Sequence, residues 1–209
     1  MQMQWLQKRE GAHEVLVIFS GWGIGPEAFA HLTTDADILC VSDYRDLTTD
    51  LPDLSGYETR NLIAWSFGVA AYALWQQNRV DPFDRKVALC GGMCPVDRDL
   101  GILPVAMQKT IGTLSVTSFQ IFLRRCYGRA VSYEPVNITA LKAELLAVQA
   151  RDYSRVQQNW DKAVISRADK IFPVKNLRAA WGGNATDVVE TDAPHVPFNA
   201  WKTWAEVLA

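Results

Sequence analysis

Short runs of β-branched and apolar residues recur along this chain, each running into a loop or a helix-forming stretch, and this alternation constrains the fold more than any other feature. Between His13 and Phe19 a β-branched apolar run reads as a buried strand, and it ends abruptly in Ser20-Gly21-Trp22-Gly23-Ile24-Gly25-Pro26. A helix is expected from Glu27 to about Leu32, a second strand from Ala36 to Val41, and an acidic, polar loop from Asp43 to Ser55. The third apolar segment, Asn61 to Trp65, passes through Ser66-Phe67-Gly68 straight into Val69 to Trp75, whose small and apolar residues suit a buried helix. Lys86 to Leu89, Lys162 to Ser166 and Asp187 to Glu190 are further strand-like runs, and Phe198 to Leu208 has the 3.6-residue spacing of a closing helix. Strands alternating with helices imply an α/β fold with a mainly parallel sheet flanked by helices.

From about Asp97 to Trp160 this rhythm is interrupted by a run of expected helices, broken at Gly101, Pro104, Gly112, Gly128 and Pro135. It reads as a helical cap inserted into a single domain spanning residues 1–209. The segment carries Arg98, Lys109, Arg124, Arg125, Arg129, Lys142, Arg151 and Arg155 against Asp97, Asp99, Glu134, Glu144 and Asp152, a net charge of +3. The whole chain sums to −2, which leaves −5 for the remainder. No global basic field exists to hold nucleic acid or a membrane surface. The longest apolar runs fall far short of the roughly 20 residues that span a bilayer, and the N-terminal residues form no apolar signal region, so the expected location is cytoplasmic.

The cysteines, Cys40, Cys90, Cys94 and Cys126, are scattered, and in a chain without an export signal they read as free thiols. Cys90 and Cys94 are spaced C-x-x-x-C, but no second Cys or His pair completes a tetrahedral site, so no metal is expected. N-x-T sequons at Asn137 and Asn184 are read as chance matches.

Ala64-Trp65-Ser66-Phe67-Gly68 lies where a strand hands over to a helix and fits small-x-Ser-x-Gly, a relaxed nucleophile elbow with Ala64 in place of Gly. The turn lifts the serine hydroxyl above the sheet, and the helix behind it aims free N–H groups at the same point. A serine hydroxyl needs a base held by a third group, in the chain order Ser, Asp or Glu, His. Asp169, just past the strand ending at Ser166, supplies the acid, with Asp187 and Asp192 as rivals, and His195 in the loop before the closing helix supplies the base. An oxyanion hole would then use the N–H groups of Phe67 and of Trp22 in the early glycine loop. That loop contains neither G-x-G-x-x-G nor a Walker-type Gly-Lys-Ser/Thr, which weakens a phosphate-cradling role.

Phe19-Ser20-Gly21-Trp22-Gly23, Ala64 to Gly68, Ser166 to Pro173 and His195 together resemble the α/β-hydrolase superfamily along essentially the whole chain. More narrowly, the Gly-Trp-Gly loop, Asp43-Tyr44-Arg45-Asp46-Leu47 and Ala-Trp-Ser-x-Gly are similar to the BioG family of pimeloyl-[acyl-carrier protein] methyl ester esterases of biotin synthesis. Ser20 stands where many related hydrolases carry His before the Gly. The resemblance implies a Ser66–His195–Asp169 triad, an oxyanion hole from Trp22 and Phe67, no cofactor, and a carrier protein bearing the pimeloyl methyl ester as partner. Acyl-carrier proteins are acidic as a family, so Arg124, Arg125, Arg129, Arg151 and Arg155 are candidate carrier contacts, and Phe119 and Phe122 candidate linings for the acyl chain. A thioesterase or short-chain carboxylesterase would use the same residues, and a catalytically silent binding protein could share the fold.

Overall fold

The computed structural model describes residues 1–183 and 185–209; the sequon at Asn184 lies outside them. Seven strands form one sheet in the order β1-β3-β2-β4-β5-β6-β7. They are β1 (Gln2–Gln7), β2 (Glu14–Phe19), β3 (Asp37–Ser42), β4 (Thr59–Trp65), β5 (Arg85–Leu89), β6 (Lys162–Ser166) and β7 (Asp187–Thr191). Every neighbouring pair is parallel except β1 with β3, which is antiparallel. Strands β2, β3 and β6 and the later halves of β4 and β5 are buried because helices cover both faces, which is why they read as continuous apolar runs rather than as an alternation.

The register fixes where function can sit. Phe19 pairs with Val41 and with Ala64, Trp65 with Leu89, and Ser166 with Thr191. The residues that follow β2, β4, β6 and β7 therefore leave the sheet along one edge, the carboxyl end of the strands, where open α/β sheets place their ligands.

Helix α1 (Phe67–Gln76) follows β4 directly. Between β5 and β6 stand α2 (Pro104–Thr113), α3 (Val116–Tyr127) and α4 (Ile138–Ala150), within the segment expected to be helical. Ser115 and Ser118 form a capping box at the start of α3, Gly128 ends it in the left-handed conformation, and the Asn137 side chain caps α4 by accepting the Ala140 N–H. The remaining helices are α5 (Val174–Trp181) and α6 (Trp204–Leu208). Among the described residues no helix is long and apolar enough to cross a membrane.

Three elements differ from the sequence expectation. Strand β1 lies in the polar stretch QMQWLQ, where only every second side chain turns inward at first and the strand has one neighbour, so the apolar signal is weak. The helix expected from Glu27 to Leu32 shrinks to one 3₁₀ turn, Pro26–Ala28. The closing helix is two pieces, a 3₁₀ turn at Phe198–Ala200 and α6, because Thr203 starts a new helix with its own capping box to Glu206.

Candidate active site

Ser66 sits between β4 and α1 at φ 59° and ψ −123°, a conformation that ordinary side chains avoid. Its surroundings leave no other path. A Cβ on Gly68 would come within 2.1 Å of the Phe19 carbonyl oxygen, and one on Gly91 within 2.3 Å of the Ser66 carbonyl oxygen. The Ser66 N–H donates to the Leu89 carbonyl at 2.9 Å. Glycine two residues after the serine is thus required by the backbone of β2, and a second glycine, after β5, by the turn itself.

The turn presents the Ser66 hydroxyl to His195, whose Nε2 lies 3.0 Å from Oγ. On the far side of the ring, Nδ1 is 2.7 Å from Asp169 Oδ2. The other carboxylate oxygen, Oδ1, accepts the N–H groups of Ile171 at 2.7 Å and Phe172 at 3.0 Å, so both oxygens are engaged and the carboxylate cannot swing. His195 is 1% exposed and the Asp169 side chain is fully buried. Phe172 stacks on the imidazole at 6.0 Å and 16°, Trp65 lies against it at 5.7 Å, and the Trp65 indole N–H donates to the His195 carbonyl at 2.9 Å. The loop carrying the histidine is held further back by Ser166, whose hydroxyl donates to the Ala193 carbonyl. Serine, imidazole and carboxylate from three different loops thus form one hydrogen-bonded line, the arrangement that lets a hydroxyl lose its proton as it attacks.

The rival acids lie elsewhere. Asp192 is exposed and pairs with Arg167 at 2.7 Å, the guanidinium holding its carboxyl below the usual range, and Asp187 is exposed at the start of β7. The C-x-x-x-C cysteines also part: Cys90 is buried, while the Cys94 thiol faces the Tyr153 carbonyl. Among the described residues no group of three His, Cys, Asp or Glu side chains could hold a metal.

A cavity of about 400 Å³ opens above Ser66 and is lined by Trp22, Phe67 and residues of α2, α3 and α4. Its walls are mostly apolar, with Ile102, Met107, Leu114, Ile121, Phe122, Leu145 and Ile171 among them. Among the described residues neither the Trp22 nor the Phe67 backbone N–H meets an acceptor, and both residues line the cavity with Ser66. The Trp22 ring is held edge-on by Phe119 and Phe122, and its indole N–H donates to the Leu141 carbonyl at 3.0 Å.

Of the two candidate lining residues, Phe122 reaches the cavity, whereas Phe119 is fully buried beneath the glycine loop, where it fills the space that a side chain at Gly23 would need. The five arginines do not form one patch. Arg125 lines the cavity, and Arg124 and Arg129 are exposed at the end of α3. Arg151 donates to the Arg45 carbonyl, and Arg155 lies with Asp81 and Lys86 near the start of β5, at the opposite edge of the sheet. Lys109, which the sequence places among the cap's cations without assigning it a contact, and Lys170, which it does not single out, join Arg125 in the cavity lining. Lys170 is adjacent to Asp169 in the sequence, the one signal that could have pointed to it. Lys109, Arg125 and Lys170 have no acid partner among the described residues, and no acid lines this cavity.

A family model described as pimeloyl-ACP methyl esterase BioG matches residues 1–207. A malonyl-[acyl-carrier protein] O-methyltransferase of Bacteroides fragilis is 32% identical over 193 residues, 87% of this chain and 39% of that protein, so the chain spans about two fifths of that relative's length. The crystal structure of BioG from Haemophilus influenzae superposes on all of this chain and all of its own, with a TM-score of 0.89 at 26% identity. An enol-lactonase from Burkholderia xenovorans, 13% identical, has a TM-score of 0.65 over 93% of this chain and 89% of its own. The fold is that of an α/β-hydrolase.

Proposed function

This chain belongs to the BioG family, and from that premise we propose that it is a serine carboxylesterase that hydrolyses pimeloyl-[acyl-carrier protein] methyl ester to pimeloyl-[acyl-carrier protein] and methanol. The observation that carries the reading is the buried line from Asp169 through His195 to Ser66, opening into an apolar cavity with an uncompensated cationic lining. Ser66 Oγ attacks the ester carbonyl while His195 Nε2 takes its proton. The developing oxyanion is received by the N–H groups of Trp22 and Phe67. His195 then returns the proton to the departing methoxide, and water attacks the acyl-enzyme by the same steps in reverse. Asp169 holds the proton on His195 Nδ1, so that Nε2 faces the serine as an acceptor, and stabilises the imidazolium that forms.

The apolar walls suit a methylene chain, and the unpaired cations Lys109, Arg125 and Lys170 suit the phosphate of a carrier arm and the acidic carrier behind it, with Arg124 and Arg129 extending the same charge along the end of α3. Arg155, near the start of β5, lies away from this face. The helices α2 to α4 serve as the cap, and a cytoplasmic setting follows from a carrier-bound substrate.

The test is to incubate the protein and its Ser66→Ala variant with pimeloyl-[acyl-carrier protein] methyl ester and weigh the carrier by intact mass spectrometry. Loss of one methylene mass with the wild type alone is the expected result. Loss of the whole acyl group makes the enzyme a thioesterase, and an unchanged carrier refutes the substrate.

A further inference from the structure

The glycine loop from Ser20 to Gly25 is a thin partition. In front of it lies the cavity over Ser66; behind it lies a second cavity of about 620 Å³, lined by Ser20, Gly21, Gly23, Asp43, Arg45 and Glu144 among others. Its glycines let the loop pack closely, Gly21 against the Trp65 ring and Gly23 against Phe119, with Ser20, Trp22 and Ile24 buried, so packing sets where the loop lies and its hydrogen-bond tethers set how its backbone N–H groups point. A backbone donor useful to an oxyanion must be placed to within about half an ångström.

The tethers come from α4. One turn of that helix offers the Leu141 carbonyl to the Trp22 indole and, three residues on, the Glu144 carboxylate to the Tyr44 N–H at 3.0 Å. Tyr44 is fully buried, its ring parallel to Phe19 at 6.2 Å, and its hydroxyl donates to the Ser20 carbonyl at 2.7 Å, shared with the Val41 carbonyl at 3.1 Å. Ser20 closes the loop on itself through a hydroxyl bond to the Ile24 carbonyl. A continuous line thus runs from Glu144 through Tyr44 to the residue that opens the loop. Glu144 is 6% exposed, and among the described residues no cation lies within ion-pair distance of it; Arg45 pairs with Asp43 instead. Burying a carboxylate without a cation is costly, and packing alone would favour a leucine at this position.

We propose that Glu144 is a positioning residue: by fixing the Tyr44 amide, and through the Tyr44 hydroxyl the Ser20 carbonyl, it holds the glycine loop so that the Trp22 N–H stays aimed over Ser66. The catalytic consequence rests on the esterase reading; the tether does not.

Two variants at Glu144 separate the tether from bulk or charge. Glu144→Leu fills the space without an acceptor, whereas Glu144→Gln keeps an acceptor oxygen for the Tyr44 N–H. Tyr44→Phe cuts the line at its next link. Amide hydrogen exchange over residues 20–25 is read beside kcat and KM on p-nitrophenyl butyrate. Glu144→Leu and Tyr44→Phe are expected to speed loop exchange about tenfold and lower kcat about tenfold, with KM within about twofold, the pattern of a displaced oxyanion donor. Glu144→Gln should restore both readings to within about twofold. Loop exchange at the wild-type rate in Glu144→Leu, or Glu144→Gln behaving as Glu144→Leu, overturns the proposal. A wild-type protein without esterase activity refutes the esterase reading and leaves loop exchange to decide the tether.

Discussion

The backbone at Ser66 stores strain that a pair of substitutions can measure. At φ 59° and ψ −123° a residue with a Cβ costs about 1–3 kcal/mol relative to a relaxed conformation, and the strain cannot leak away, because Gly68 and Gly91 already sit against neighbouring backbone with no room to spare. Ser66→Gly and Ser66→Ala both remove the hydroxyl and its bond to His195, so the difference between them isolates the strain. Glycine relieves it but gives the unfolded chain more freedom, which costs about 0.5–1 kcal/mol. The glycine variant should therefore be more stable than the alanine variant by up to about 2.5 kcal/mol, a shift in Tm of up to roughly 10 °C for a chain of 209 residues. Urea unfolding followed by tryptophan fluorescence, with both variants at one pH, measures it. An alanine variant more stable than the glycine variant would refute the claim that the elbow is strained. Neither variant should retain measurable esterase turnover.

Asp169→Asn keeps the shape of the site but presents an amide donor to His195 Nδ1, which drives the ring proton to Nε2, where it faces Ser66. Turnover should fall by roughly 10³–10⁴ with thermal unfolding nearly unchanged; a loss under tenfold in steady-state kinetics would show that the carboxylate does not set the tautomer. Burial raises Glu144 from its ordinary 4.5 to about 7, with Asp43 adding to the rise and the Tyr44 N–H, Arg45 and Arg151 opposing it. The folded state then holds a proton that the unfolded state releases, so the stability this group contributes is complete below pH 4.5 and is lost as the pH rises toward 7. The loss amounts to roughly 3 kcal/mol, and Glu144→Gln should abolish it. Parallel stability curves for wild type and variant in urea unfolding between pH 4.5 and 8 would contradict this.

The three residues in line at the site were legible because each stands just past a strand, where a sharp turn, an acid and a loop histidine leave marks in sequence order. Sequence also resolved the central strands, whose two-sided burial produces unbroken apolar runs. It missed β1, since an edge strand of glutamines, methionine and tryptophan carries little apolar signal, and it overextended two helices where local capping interrupts the pattern. The cation lining was legible only in part. Net charge over a segment says nothing about which way a side chain faces, so Arg155 was grouped with Arg125 although they stand at opposite ends of the sheet, while Lys109 counted only toward the cap's charge and Lys170 was not singled out. Glu144 was invisible for a different reason. A lone glutamate in a helix looks like a solvated charge, and only the folded chain shows it buried 100 residues away from the amide it holds.

Helix α3 touches both halves of the chemistry. Phe119 and Phe122 brace the Trp22 ring at one part of the helix, and the Cys126 carbonyl near its end accepts the Val196 N–H at 3.0 Å, one residue past His195. The wall of the cavity over Ser66, the placement of His195 and the placement of Trp22 are therefore one mechanical object. Room for a longer or bulkier ligand in this cavity cannot come from sliding this helix outward without loosening both loops. It has to come from trimming side chains such as Phe122 or Ile121 on a helix that stays where it is.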